Sequence, residues 1–157
     1  MQVQIVDLPA VRLATIRKVG PYGEAISLFW KETYLPWLAE QHLLANSQYG
    51  IGYDNPYITP ANECRYDAGV EVSDDYLIQS PAVETTLAAG QYAVYAFEGT
   101  SSDIVQAWKM LMQDWLPKSG YELANLPCFE RHIRPVSSEI VGLFACDICI
   151  PLKSKSV

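Results

Sequence analysis

The sequence predicts an α+β fold in which a strand-helix-strand-strand unit occurs twice, giving an antiparallel sheet with two main helices. Three observations predict it. Landmarks recur at a nearly constant shift: Pro135 minus Pro56 is 79, Gly99 minus Gly20 is 79, Trp115 minus Trp37 is 78 and Asp147 minus Asp67 is 80. Runs with a two-residue period alternate with runs of three- to four-residue spacing, and turn residues separate them. Hairpin-length links between the runs favour antiparallel pairing with helices layered on the sheet. The 157 residues then form one domain, with repeats over about 1–78 and 79–157. Two copies related by a pseudo-twofold axis leave a groove where they meet, and such joints are common small-molecule sites.

In the first copy, Val3 to Ile5 and Val11 to Val19 alternate, with Pro9 between them. Gly20-Pro21-Tyr22-Gly23 turns the chain into a helix whose stripe is Tyr22, Ile26, Phe29, Thr33 and Trp37. Pro36 is expected to end or kink that helix near Tyr34 or Leu35. Two strands follow, Tyr49 to Pro56 and Cys64 to Val72, and Ser73-Asp74-Asp75 closes the second. The second copy repeats the order. Val83 to Phe97 has strand character around Gly90, and Ser101, Ser102 or Asp103 is expected to cap the next helix. Ile104, Trp108, Leu111 and Trp115 form its apolar stripe, and Pro117 and Gly120 stop it. Pro127 to Pro135 and Ile140 to Leu152 supply the last two strands.

The run from Pro127 to Pro135 carries the chemistry. Prolines bracket a short strand, and alternation puts Cys128, Glu130 and His132 on one face. At the constant shift of 79, Ile51 falls opposite Glu130 and Tyr53 opposite His132. One copy therefore presents an acid where the other is apolar.

Composition removes several classes of function. A net charge of −7 with no Lys/Arg cluster opposes binding to nucleic acid or anionic membranes. No apolar run approaches a membrane span and no basic-then-apolar leader begins the chain, so a cytoplasmic protein is expected. Cys146 and Cys149 point to opposite faces of a strand, which opposes a shared metal or redox pair. His42 and His132 are the only histidines, and no zinc spacing, phosphate loop or nucleophile elbow occurs. Neither a metal nor a cofactor is expected.

Several stretches together carry a family resemblance: Tyr53-Asp54-Asn55-Pro56 with Thr59-Pro60, Cys64-Arg65-Tyr66-Asp67, Gly90-Gln91-Tyr92-Ala93-Val94, Trp115 to Pro117, Tyr121-Glu122 and Pro127-Cys128-Phe129-Glu130. In order and over nearly the whole chain, they resemble the DNA gyrase inhibitor-like (GyrI-like) family. That family shares its fold with effector-binding domains of AraC-type and MerR-type regulators. The resemblance implies a groove for cationic or amphipathic aromatic molecules with the glutamate of the Phe-Glu motif, here Glu130, as central acid. Tyr53, Tyr22, Trp37 and Trp115 are candidates for its aromatic walls, with ordinary core packing the alternative for aromatics at helical spacing, and His132 is a candidate neighbour of the acid. The position two residues after the glutamate, often Tyr in the family, is His132 here.

The chain is expected to be a stand-alone capture protein for such compounds. Aromatic faces add roughly 0.5–2 kcal/mol each through cation–π contacts. An acid about 4 Å from a cation adds roughly 4 kcal/mol before desolvation, against the roughly 8 kcal/mol that micromolar affinity requires. The resemblance implies two alternatives: a hydrolase opening strained, cyclopropane-bearing electrophiles through Glu130, and an inhibitor contacting DNA gyrase.

Overall fold

The computed structural model describes residues 2–132 and 144–154. Ile133, Arg134 and Pro135, at the end of the bracketed run, and residues 140–143, at the start of the last expected strand, lie outside the described residues. The chain divides into two compact units, residues 10–87 and residues 1–9 with 88–157.

In the first unit, β2 (Val11–Val19), β3 (Gln48–Gly52), β4 (Arg65–Glu71) and β5 (Val83–Leu87) form an antiparallel sheet in the order β3-β4-β2-β5. Helices α1 (Glu24–Phe29) and α2 (Leu35–Glu40), joined by a π-helical turn, supply Ile26, Phe29, Trp30 and Leu38 to a core with Ala14, Ile16, Tyr66, Ala68 and Val70. The second unit has the order β1-β6-β9-β8, from β1 (Gln4–Leu8), β6 (Gly90–Gly99), β9 (Phe144–Ser154) and β8 (Cys128–His132). Short β7 (Tyr121–Leu123) pairs with the far end of β9. Over this sheet lie α3 (Ser101–Met110), a π-helical turn and α4 (Leu116–Lys118), whose Ile104, Ala107 and Leu111 pack on Ala93, Phe97, Cys146, Ile148 and Ile150.

The fold is thus α+β, with the strand-helix-strand-strand order present twice. The first strands are exchanged between the copies: β1 pairs with β6, and β5, its equivalent, pairs with β2. Register confirms the equivalence, because Gln4 faces Val94 and Val83 faces Thr15, each a shift of 79. The run from Val83 to Phe97 is accordingly two strands with different partners, separated at Ala88-Ala89.

The prolines do not end their helices. Leu35 N–H donates to the Trp30 carbonyl and Leu116 N–H to the Leu111 carbonyl, each five residues back. A proline ring collides with the carbonyl four residues earlier and has no N–H to give. The widened turn displaces that carbonyl just before Pro36 and Pro117, and the helices continue to Glu40 and Lys118. At Pro36, expected to end or kink the helix, the π turn Trp30–Tyr34 instead carries it on. Because Leu35-Pro36 matches Leu116-Pro117, the local shift is 81, and Trp115 corresponds to Tyr34 rather than to Trp37.

The cap of α3 is also one residue earlier than expected. Thr100 is the N-cap: its hydroxyl accepts from Asp103 N–H at 3.2 Å, and the Asp103 carboxylate accepts from Thr100 N–H at 2.9 Å. This reciprocal box satisfies two donors that the helix start leaves open.

Gly50 is required by a close approach. Any Cβ there would fall inside the Tyr66 hydroxyl, which accepts from Trp30 Nε1 at 2.9 Å. Gly50→Ala should therefore cost about 1–3 kcal/mol in urea denaturation. Adding Tyr66→Phe, which removes the colliding oxygen, should recover part of that loss; equal losses with and without the hydroxyl would exclude this collision as the cause.

Candidate functional site

The site lies in the second unit, on the sheet face that α3 covers. Strand alternation turns Cys128, Glu130 and His132 of β8 to that face, with Cys146, Ile148 and Ile150 of β9 beside them. Phe129 and Arg131 point the other way. Phe129 packs on Tyr92 with ring centroids 5.3 Å apart, and Arg131 reaches Asp147 at 3.0 Å. Arg131, a plausible neutraliser of Glu130 by sequence proximity, thus holds a different carboxylate. Arg134 lies outside the described residues.

Trp108 Nε1 donates to Glu130 Oε2 at 2.9 Å, and Glu130 Oε1 is 3.9 Å from His132 Nε2. The Glu130 side chain keeps 21% of its exposure and that of His132 16%. Among the described residues, no Lys or Arg forms an ion pair with Glu130. Removal from water pushes its carboxyl up to about 7, against the opposing pull of the Trp108 hydrogen bond, which favours the anion. Burial lowers His132 to about 4, so its imidazole is neutral at pH 7. Burial likewise pushes the Cys128 thiol up to about 12.

Strand register corrects the alignment of the two copies at this point. Ile51 faces Asp67 and Arg131 faces Asp147, a shift of 80, so Glu130 corresponds to Gly50 and His132 to Gly52. The matches at 79, Ile51 with Glu130 and Tyr53 with His132, are one residue out of step, and a one-residue slip changes the face. The chemistry at the shared position is then intelligible. In the first unit Gly50 leaves space for Tyr66, whose hydroxyl receives an indole N–H from Trp30. In the second unit small Cys146 replaces Tyr66, Glu130 replaces Gly50, and the indole N–H of Trp108 goes to the carboxylate.

Tyr53 and Tyr22 belong to a charged cluster in the first unit. Asp67, fully buried, accepts from Arg17 Nε at 2.8 Å and from the Tyr53 hydroxyl at 3.0 Å. Arg17 and Arg65 guanidinium carbons lie 4.8 and 5.6 Å from the Tyr53 ring centroid, so the ring already has two cations in cation–π range. Burial, then the Asp67 charge, pushes the Tyr53 hydroxyl up to about 12. Tyr22 donates to the Arg65 carbonyl, and burial raises its pKa. Trp37 packs on the first unit's core, with its ring 6.0 Å from that of Tyr34. Trp115 lies partly buried on the second unit's core. Of the six residues expected to bind ligand, the second unit brings Glu130 and His132 directly together. Sequence reasoning missed Trp108 as a hydrogen-bond donor to Glu130 and Cys146 as a neighbour. Trp108 stood in a helical stripe that equally reads as core, and no local spacing marks its reach to β8.

The sequence matches the GyrI-like small molecule binding domain over residues 1–153. The chain belongs to the GyrI-like family. Among its relatives, the SPbeta prophage-derived protein YosT of Bacillus subtilis is 30% identical over 154 residues, covering 98% of this chain and 100% of that protein. A DNA gyrase inhibitor of Yersinia enterocolitica is 30% identical over 153 residues, covering 94% and 95%. The structure of SAV2435 bound to tetraphenylphosphonium superposes with a TM-score of 0.70 at 18% identity, covering 98% of this chain and 94% of that one. The GyrI-like chain described here is therefore a small-molecule-binding domain by family. None of its helices is long and apolar enough to cross a membrane, among the described residues.

Stability should report the Glu130 environment. The unfolded carboxyl ionises near its ordinary value of 4.5, and the folded one near 7. Between these values the folded state holds a proton that the unfolded chain has shed, so the contribution of Glu130 to stability falls as pH rises and is fully lost above about 7. His132, lowered from 6.5 to about 4, acts in the opposite sense over pH 4–6.5. Glu130→Gln should thus stabilise the protein increasingly from pH 4.5 upward, by up to roughly 3 kcal/mol at pH 8, and leave it unchanged near pH 4. Urea titrations across that range check this; a pH-independent difference would contradict it. Trp108→Phe should move the Glu130 carboxyl midpoint higher still, read from its carbon-13 NMR titration.

Proposed function

We propose that this GyrI-like domain captures cationic, amphipathic aromatic compounds, with Glu130 as the counter-ion. The observation that carries the reading is a half-buried carboxylate on an apolar, helix-covered face, held among the described residues by a neutral indole donor rather than by an arginine or lysine. An ionised acid in that setting lacks compensation, and a bound cation supplies it. The tetraphenylphosphonium complex of SAV2435 supports the ligand class, because such a cation combines diffuse charge with aromatic surface. Recognition by charge and apolar contact, with few directional hydrogen bonds, implies broad specificity. Trp115, on the same unit as Glu130, is a candidate for an additional aromatic contact, and cytoplasmic capture is the setting we infer for a GyrI-like chain of this composition.

A second reading is favoured by the pKa of Glu130. A carboxyl poised near 7 is suited to general acid–base work, so opening of a strained electrophile at the same residue is chemically reasonable. Turnover separates the two readings, since capture requires none.

Cation binding must displace the proton that Glu130 holds below pH 7. Tetraphenylphosphonium affinity measured by calorimetry should therefore rise about tenfold per pH unit up to about 7 and level off above it. At pH 8, Glu130→Gln should bind at least tenfold more weakly, about 1.4 kcal/mol, while a neutral isostere should bind both proteins alike. A flat pH profile with unchanged affinity in the variant would remove the counter-ion role.

A further inference from the structure

The face that carries Glu130 also assembles three different donors. A Glu130 carboxylate oxygen, a His132 ring nitrogen and Cys146 Sγ all lie within 4.8 Å of one another, and Glu130 Oε1 is 3.9 Å from His132 Nε2. Their convergence follows from the sheet. Glu130 and His132 are two residues apart on β8 and so share a face, and the β8–β9 register that sets Glu130 against Ile148 places His132 across from Cys146. Trp108 Nε1 donates to Glu130 Oε2 at 2.9 Å, a hydrogen bond of the kind that orients metal-binding carboxylates. Cys146 is buried, and His132 and Glu130 are half-buried.

We propose that Glu130, His132 and Cys146 form a binding site for a borderline-soft divalent transition-metal ion of the zinc class, with a fourth position open. The donor set selects the class. A thiolate beside an imidazole nitrogen disfavours magnesium and calcium, which take oxygen ligands, and suits zinc or cobalt. Charge also balances: one carboxylate and one thiolate neutralise a divalent ion, which lowers the cost of placing it on an apolar face. A tetrahedral ion at about 2.0–2.3 Å from each donor needs donors about 3.3–3.6 Å apart. The three must therefore contract by about 1 Å on binding. Binding releases the Cys146 proton to solvent. No local spacing in the sequence announces such a site, because its third ligand comes from the neighbouring strand.

Cobalt(II) added to chelator-treated, reduced wild-type protein tests this directly. The expected result is one equivalent bound, with a thiolate-to-cobalt charge-transfer band and intense visible bands of tetrahedral coordination, all displaced by zinc. Cys146→Ser should abolish the charge-transfer band and weaken binding at least tenfold. Cys128→Ser and Cys149→Ser, which change thiols outside the cluster, should retain both band and affinity. Absence of the band in the wild type at millimolar cobalt, or its persistence in Cys146→Ser, would overturn the proposal; the wild-type result stands even if that variant fails to fold. Tetraphenylphosphonium binding in the presence of chelator keeps the two readings apart. Chelator-treated wild-type protein should lose metal and keep the organic cation, while Glu130→Gln should weaken both.

Discussion

The hydrogen bond from Trp108 to Glu130 joins α3 to β8 and sets the character of the whole helix-covered face of the second unit. An indole N–H holds a carboxylate in place and favours its anion without supplying a full positive charge. An arginine there would neutralise the acid and close it to ligands. The fold uses that alternative elsewhere, where Arg17 holds Asp67 and Arg131 holds Asp147. Those two aspartates are equivalent in the repeat, yet their arginines come from opposite neighbouring strands, β2 for one and β8 for the other. Placing Arg131 on the far face is what keeps it away from Glu130.

Duplication supplies the scaffold, and divergence at a few positions supplies the site. The exchanged strands β1 and β5 make each unit depend on chain from the other copy, so neither half of the sequence completes its own sheet. Within that shared frame, the pair Gly50 and Tyr66 in one copy becomes Glu130 and Cys146 in the other. A large residue and a vacancy are traded for a small residue and an acid. Both arrangements receive an indole N–H, but only the second places a carboxylic acid on the face.

Much of this was legible in the chain. The repeat, the α+β class, the two amphipathic helices and the shared face of Glu130 and His132 all follow from periodicity, punctuation and family resemblance. The errors have specific physical origins. Pro36 read as an end or kink because the rule concerns α-helical carbonyls, whereas a π turn relocates the one that collides; the stop expected from Pro117 and Gly120 falls at Lys118, ahead of Gly120. The cap at Thr100 was missed by one residue because several side chains in Thr100-Ser101-Ser102-Asp103 are competent caps and only geometry selects among them. The shift of 79 misaligned β3 with β8 because the offset grows to 81 at the Leu-Pro steps and settles at 80 in the strands beyond.

By itself the sequence determined what is local and periodic: which residues alternate on β8, which line a helix, and that one copy carries an acid near its penultimate strand. Alternation has a period of two whatever the strand's neighbours are, so Glu130 and His132 share a face by necessity. Only the tertiary structure decided who meets Glu130 there. Trp108 arrives from a helix 22 residues earlier and Cys146 from a strand 16 residues later, and Arg131 is turned away to Asp147. Those meetings depend on cross-strand register and on the packing of α3 over the sheet, and neither leaves a fixed spacing in the chain.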